Sequence, residues 1–148
     1  MRLSRFVCIG LFVLLGACGD PIMILPGGAL SGTVTAPPAD WAQLAQVKTI
    51  QVEFRPSDPY SHNIWAVGIG PDLYIATSGS GTRWTPFVAA DPRVRARVGS
   101  QLFELSAVPV TDTDERTRVA SAYQKKYDIE PNDNWVTDAL IYRLDRPQ

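Results

Sequence analysis

The chain has 148 residues, and its 45% apolar content is enough for the core of one domain. A formal net charge of −1 and the lack of a basic run exclude a typical nucleic-acid binder. His62 is the only histidine, with no second histidine to share a zinc ion, and the scattered carboxylates lack metal-ligand spacing. No metal site is expected, and no nucleophile-elbow pattern is present.

Arg2 and Arg5 precede an apolar run over residues 6–16. That run is far shorter than the roughly 20 residues of a membrane-crossing helix and has the flanks of a secretory signal. The following Leu15-Gly16-Ala17-Cys18 resembles the bacterial lipobox, in which small residues precede a cysteine that is acylated before cleavage. The resemblance implies a signal peptide over residues 1–17, a lipidated Cys18 and a protein held at the bilayer by its acyl chains. The alternative is an ordinary signal peptide with an incidental cysteine. Losing Arg2 and Arg5 takes the net charge from −1 to −3, and losing Cys8 leaves no intramolecular disulfide. By resemblance to enterobacterial lipoproteins, Gly19 after the cysteine, in place of an aspartate, implies the outer over the inner membrane, with the body facing the periplasm.

Residues 18–29 read as a tether rich in glycine and proline. A flexible segment of ten residues reaches about 20 Å. Met23, Ile24 and Leu25 either dip into lipid or pack on the body, which spans residues 30–148. Beyond the tether the dominant period is two. Residues 30–35 form a short candidate strand. Residues 49–55, TIQVEFR, alternate Ile50, Val52 and Phe54 against Gln51, Glu53 and Arg55, the pattern of a strand with one wet side. Strands follow over residues 63–69 and 73–77, joined by the turn Gly70-Pro71-Asp72.

A short helix is expected over residues 84–90. Residues 94–98, VRARV, then alternate with Arg95 and Arg97 outward, and Gly99-Ser100 turns the chain into a partner strand over residues 101–110. In TDTDER, Thr111 or Asp112 can cap a longer helix, with Asp114 and Glu115 near its positive end. Val119, Ala122, Tyr123 and Tyr127 share a face of it, and Lys125-Lys126 sit on a solvated face near its end. Residues 139–144 form the last strand. Strands outnumber helices, so the fold class is mainly β with peripheral helices (α+β): a small, closed or partly closed barrel.

From about residue 47 to residue 144, the order of elements resembles the flavin- or deazaflavin-binding split barrel of pyridoxamine-phosphate-oxidase-like and nitroreductase-like proteins. The stretch carrying the resemblance is DLYIATSGSGTRWTPFVAADPRVRARVGSQLFELSAVPVTDTDER. It implies a homodimer with FMN or a deazaflavin lying against the loop and helix before DPRV; haem is a less favoured ligand that some split barrels bind. The cofactor-binding candidates are Ser78, Gly79, Ser80, Gly81, Thr82, Arg83 and Trp84, joined by Arg55 and His62.

Read from the residues alone, the Ser/Gly loop either cradles a phosphate with its amides, hydroxyls and Arg83 or merely connects strand to helix. The turn from Arg55 to Tyr60 has two prolines and one basic residue, less positive charge than the Gly-Arg-Lys-Ser-Gly turn usual in nitroreductase-like members. His62 is either a structural hydrogen-bonder or a proton carrier and haem ligand. Trp41 and Trp65 are expected in the core or an interface, whereas Trp84 either stacks on a ligand or completes the core. The functional expectation is a membrane-anchored periplasmic lipoprotein that binds a planar, flavin-like cofactor for redox chemistry. The alternative is a cofactor-free envelope lipoprotein acting as an interaction module.

Overall fold

The computed structural model describes residues 20–133 and 137–147. The signal segment, Cys18 and Trp135 lie outside the described residues. Eight strands form one sheet: β1 (Thr33–Val34), β2 (Ile50–Phe54), β3 (Tyr60–Ile64), β4 (Ala66–Ile69), β5 (Asp72–Thr77), β6 (Arg93–Val98), β7 (Gln101–Pro109) and β8 (Leu140–Asp145). Among the described residues the sheet is accompanied by helices α1 (Thr85–Ala90) and α2 (Thr113–Tyr127) and a 3-10 turn at Ala42–Gln46.

The main path runs β3-β2-β6-β7-β8-β5-β4. Its two ends, β3 and β4, are separated by Trp65 alone, so one bent strand joins them. Its first half pairs with β2 through Ile50↔Ile64 and Phe54↔Tyr60, and its second half with β5 through Ala66↔Ile75. The sheet therefore curls onto itself as a split barrel with peripheral helices, as the sequence leads one to expect. β1 runs parallel to the start of β7, on the side that β8 joins only from Ser106 onward.

The alternation seen in the sequence places Ile50, Val52, Phe54, Val94, Ala96, Phe103 and Leu105 in one core inside the barrel, together with Trp41. A second core lies outside it, where Val119 and Tyr123 of α2 cover Val67, Tyr74, Ala76 and Ile141. β5 thus alternates between two dry faces, which is why DLYIAT lacks a polar side. The α2 cap is Asp112, whose carboxylate accepts from the Glu115 N–H at 2.8 Å.

Four details differ from the expectations. The strand expected over residues 49–55 stops at Phe54, because Arg55 adopts a left-handed φ of 54° and begins a turn closed by Asp58 N–H to Arg55 carbonyl. The strand expected from residue 63 begins at Tyr60 and breaks at Trp65. The outer side of β2 is not wet: Glu53 is 3% exposed. Lys126 does not lie on a solvated face; it donates to the Ala66 carbonyl at 2.6 Å, and burial lowers its pKa.

The dryness of Glu53 comes from residues 20–31, which run over β2, β3 and β6. Leu30 N–H donates to Glu53 at 2.5 Å, Arg95 bridges Glu53 and the Leu30 carbonyl, and Arg97 donates to the Ser31 carbonyl and pairs with Asp20 at 2.6 Å. Gly27 and Ser61 exchange two backbone hydrogen bonds at 2.9 Å. The described part of the proline- and glycine-rich segment is thus held to the body at Asp20, Gly27 and residues 30–31, while its turn at residues 22–25 projects outward.

Candidate functional site

The bend at Trp65 makes the site. β4 and β5 stay paired up to Ala66↔Ile75, but β5 continues through Ala76 and Thr77 paired, among the described residues, with β8 alone. β3 has meanwhile turned away to pair with β2, and the two strands diverge. Peptide groups at such a break lose their ladder partners and must find others. Two tyrosines of α2 supply them: Tyr123 Oη donates to the Trp65 carbonyl at 3.0 Å, and Tyr127 Oη accepts from the Ala66 N–H at 2.9 Å. The Tyr127 ring also stacks on Trp65, with centroids 4.4 Å apart.

The divergence opens a slot of about 420 Å³ between β3, the end of β5 and loop 78–84. Tyr60, His62, Asn63, Ile64 and Trp65 line one side, and Ala76, Thr77, Ser78, Thr82, Arg83 and Trp84 the other. Among the described residues the lining holds one arginine, one histidine and three aliphatic hydroxyls, and no carboxylate. The Arg83 guanidinium lies 5.7 Å from the Tyr60 ring centroid. His62 Nδ1 is 2.9 Å from the Asn63 carbonyl, an arrangement that puts the neutral ring's proton on Nδ1 and leaves Nε2 as acceptor.

Of the residues singled out in the sequence, the structure brings His62, Ser78, Thr82, Arg83 and Trp84 into this one slot. Arg55 lies behind it, with its guanidinium 4.0 Å from the Phe87 ring centroid and paired to Asp58 at 3.0 Å. Gly79, Ser80 and Gly81 form the loop's outer turn and are not part of the lining. A Cβ on Gly79 would sit 2.5 Å from the Asp138 carbonyl oxygen, so this glycine lets the loop press against the chain before β8.

The open phosphate cradle considered for the loop amides is not fully realised. Gly81 N–H is taken by the Ser78 carbonyl at 2.8 Å and Thr82 N–H by Thr85 Oγ1 at 2.8 Å. Trp84 is 4% exposed and already stacked on Phe54, with centroids 5.0 Å apart at 5°. It is a wall of the slot and part of the core. Trp41 is in the core as expected, and Trp65 is 38% exposed at the slot mouth.

Sequence reasoning misses Tyr60, Asn63, Ile64, Trp65, Ala76 and Thr77 as lining residues. A signal for Tyr60 is present: it continues, two residues upstream, the alternation that carries His62 and Ile64, but the prolines at 56 and 59 conceal the strand's start. Among the described residues no cluster of His, Cys, Asp and Glu could hold a metal, and no helix is long and apolar enough to cross a membrane.

Residues 40–139, which include every wall of the slot, match the family described as "Uncharacterized protein conserved in bacteria (DUF2255)". The chain belongs to this family. No curated protein sequence matches the chain. Solved structures do, at low identity. A candidate pyridoxamine 5'-phosphate oxidase of Listeria innocua is 16% identical with a TM-score of 0.58, over 72% of this chain and 90% of that one. The haem storage protein HutZ of Vibrio cholerae is 17% identical with a TM-score of 0.57, over 72% and 87%. A FAD-binding protein of Mesorhizobium loti is 14% identical with a TM-score of 0.52, over 71% and 85%. These likenesses establish the split-barrel fold of this DUF2255 member, whose matched region begins after the segment that packs on the outer sheet.

Proposed function

We infer that this protein is an acyl-anchored protein of the cell envelope, held at Cys18 and facing the periplasm, whose split barrel binds a planar, anionic cofactor of the flavin class. The observation that carries the binding half is the slot between β3 and loop 78–84. Its volume lies within the range of about 300–1,000 Å³ usual for small-molecule sites, and its charged lining is cationic only. The fold shared with proteins described as FAD-binding and haem-storing supports this reading.

The residues fit such a group. Arg83, a planar fork of donors, would hold an anionic end together with the hydroxyls of Ser78 and Thr82. Tyr60, Ile64 and Trp65 line one side of the slot and would offer apolar surface to a planar ring. His62 Nε2, left as an acceptor by the Nδ1 contact, can take or return a proton beside the ligand. A bound flavin would supply the electron or hydride transfer, which no side chain here can perform.

The full chain, purified in detergent and titrated with FMN, riboflavin, a deazaflavin and haem, tests this. FMN is expected to bind with a changed absorption spectrum, and Arg83→Ala is expected to weaken FMN more than riboflavin, which lacks the phosphate. No saturable binding of any of the four at concentrations of order tens of micromolar overturns the cofactor reading. A second reading, a cofactor-free interaction module, is favoured by two observations: the Gly81 and Thr82 amides are occupied within the loop, and Arg55 is paired to Asp58. The anchoring half is tested by fractionating cells that express Cys18→Ser, which should leave the outer membrane fraction. The homodimer that accompanies this reading is tested by the mass of the purified particle.

A further inference from the structure

The geometry points to a second, non-covalent membrane contact: the turn at residues 22–25 is a wedge that inserts among the lipids of the bilayer to which Cys18 is tied. Ile22, Met23, Ile24 and Leu25 are 67%, 81%, 81% and 62% exposed. Four consecutive large apolar side chains in water are costly in a folded protein, and such a patch usually has an occupant.

The turn is also rigid. Ile22 and Leu25 exchange backbone hydrogen bonds at 3.2 and 2.8 Å, and Met23 holds a left-handed φ of 51°. Asn63 Nδ2 donates to the carbonyls of Pro21 at 3.1 Å and Met23 at 3.0 Å. Asp20 on one side is locked to Arg97, and Gly27 on the other is bridged to Ser61. A free linker would let these side chains fold back on the body; here the pinned backbone presents them outward.

The occupant follows from the position along the chain. This inference rests on the lipidated Cys18 of the proposed function. Three residues lie between Cys18 and Ile22, a span of at most about 14 Å of extended chain, so an acylated cysteine brings the turn to the headgroup region. Apolar side chains at that depth gain by entering the boundary about 5–10 Å deep between headgroups and acyl chains. Asp20, the nearest acidic residue along the chain, is paired with Arg97, so its charge does not oppose contact with zwitterionic lipid. The wedge converts a flexible attachment into a fixed orientation of the barrel on the membrane, with β2 and β3 nearest the surface.

The test uses the full chain with Met23→Cys, expressed with its own signal, reconstituted in phosphatidylcholine–phosphatidylethanolamine vesicles and labelled at the introduced thiol with a polarity-sensitive fluorophore. Acylation of Cys18 is read separately from the mass of its peptide. The expected result is a blue-shifted emission quenched by spin-labelled lipid, with Ser121→Cys on α2 remaining in water. Adding Ile24→Asp should abolish the shift while leaving the circular dichroism unchanged. An acylated protein whose label at position 23 stays in water overturns the wedge and leaves the anchor standing. An unacylated Cys18 overturns the anchor, and the same quenching with Met23→Cys in the Cys18→Ser background then decides the wedge alone. A blue shift without lipid that grows with protein concentration overturns the wedge in favour of a second copy of the chain.

Discussion

Trp65 and Tyr127 stack with their ring centroids 4.4 Å apart and their planes 8° from parallel. Trp65 stands at the bend between β3 and β4, and Tyr127 ends α2, so this contact ties the helix to the point where the barrel splits. The Tyr127 hydroxyl serves the same bend, between the Ala66 N–H and the Lys48 carbonyl. Tyr127→Phe keeps the stack but leaves the Ala66 amide without that partner, and a cost of about 1–3 kcal/mol is expected. Urea denaturation measures the loss, and faster hydrogen exchange at Ala66 would locate it.

Trp84 faces the slot but belongs to the core, stacked on Phe54 and edge-on to Tyr142 at 5.6 Å. Trp84→Ala should cost about 3–5 kcal/mol, the range for large aromatic deletions. A residue acting only on a ligand would lose binding with little change in stability. Comparing denaturation midpoints of Trp84→Ala and Arg83→Ala separates the two roles, since the arginine is exposed and its loss should leave the midpoint near that of the parent.

Glu53 is the polar centre of the outer sheet face, bonded to Arg95 and to the Leu30 amide. Removing one partner of a buried pair leaves the other desolvated. Glu53→Ala should destabilise the protein by about 3 kcal/mol, the low end of that effect, because Arg95 still reaches water. It should also release residues 20–31 to limited proteolysis before the barrel itself is cut. Resistance of that segment in the variant would show that its hold does not depend on Glu53.

Burial raises the pKa of Tyr74 to about 12 and pushes those of Tyr123, Tyr127 and Tyr142 upward. The neutral phenol is thus favoured by the fold relative to the unfolded chain, where tyrosine ionises near 10. The corresponding stability is complete below about pH 10 and is lost as the pH rises from there through 12, because the unfolded chain releases these protons first. Unfolding free energy measured across that window should fall steeply. Tyrosinate absorbance in the folded protein should lag that of the same chain in denaturant.

Elements whose residues interact with near neighbours are legible in the amino-acid order alone. The Gly99-Ser100 hairpin turn, the Asp112 cap and the alternation of β2, β6 and β7 all depend on spacings of a few residues. The slot residues on loop 78–84, and His62, stand out because hydroxyls, an arginine and a lone histidine are recognisable wherever they fall. Arg55 stands out for its charge, and the structure instead gives that charge to Asp58 and lays the guanidinium against Phe87. The wet side expected of β2 is missing for a related reason: alternation says which residues face away from the core, not what covers them.

The sequence by itself determined the period of each strand, the cap of the long helix and the candidate acylation site, because those are carried by residues adjacent in the chain. Only the tertiary structure decided that Trp65 bends one strand to close the barrel, that tyrosines some sixty residues later hold the bend, and that the resulting gap gathers Arg83 and His62. It also decided that the segment before β1 is clamped to the sheet with its apolar turn outward. Those outcomes depend on hydrogen-bond partners and packing surfaces far apart in the chain, which no local periodicity encodes.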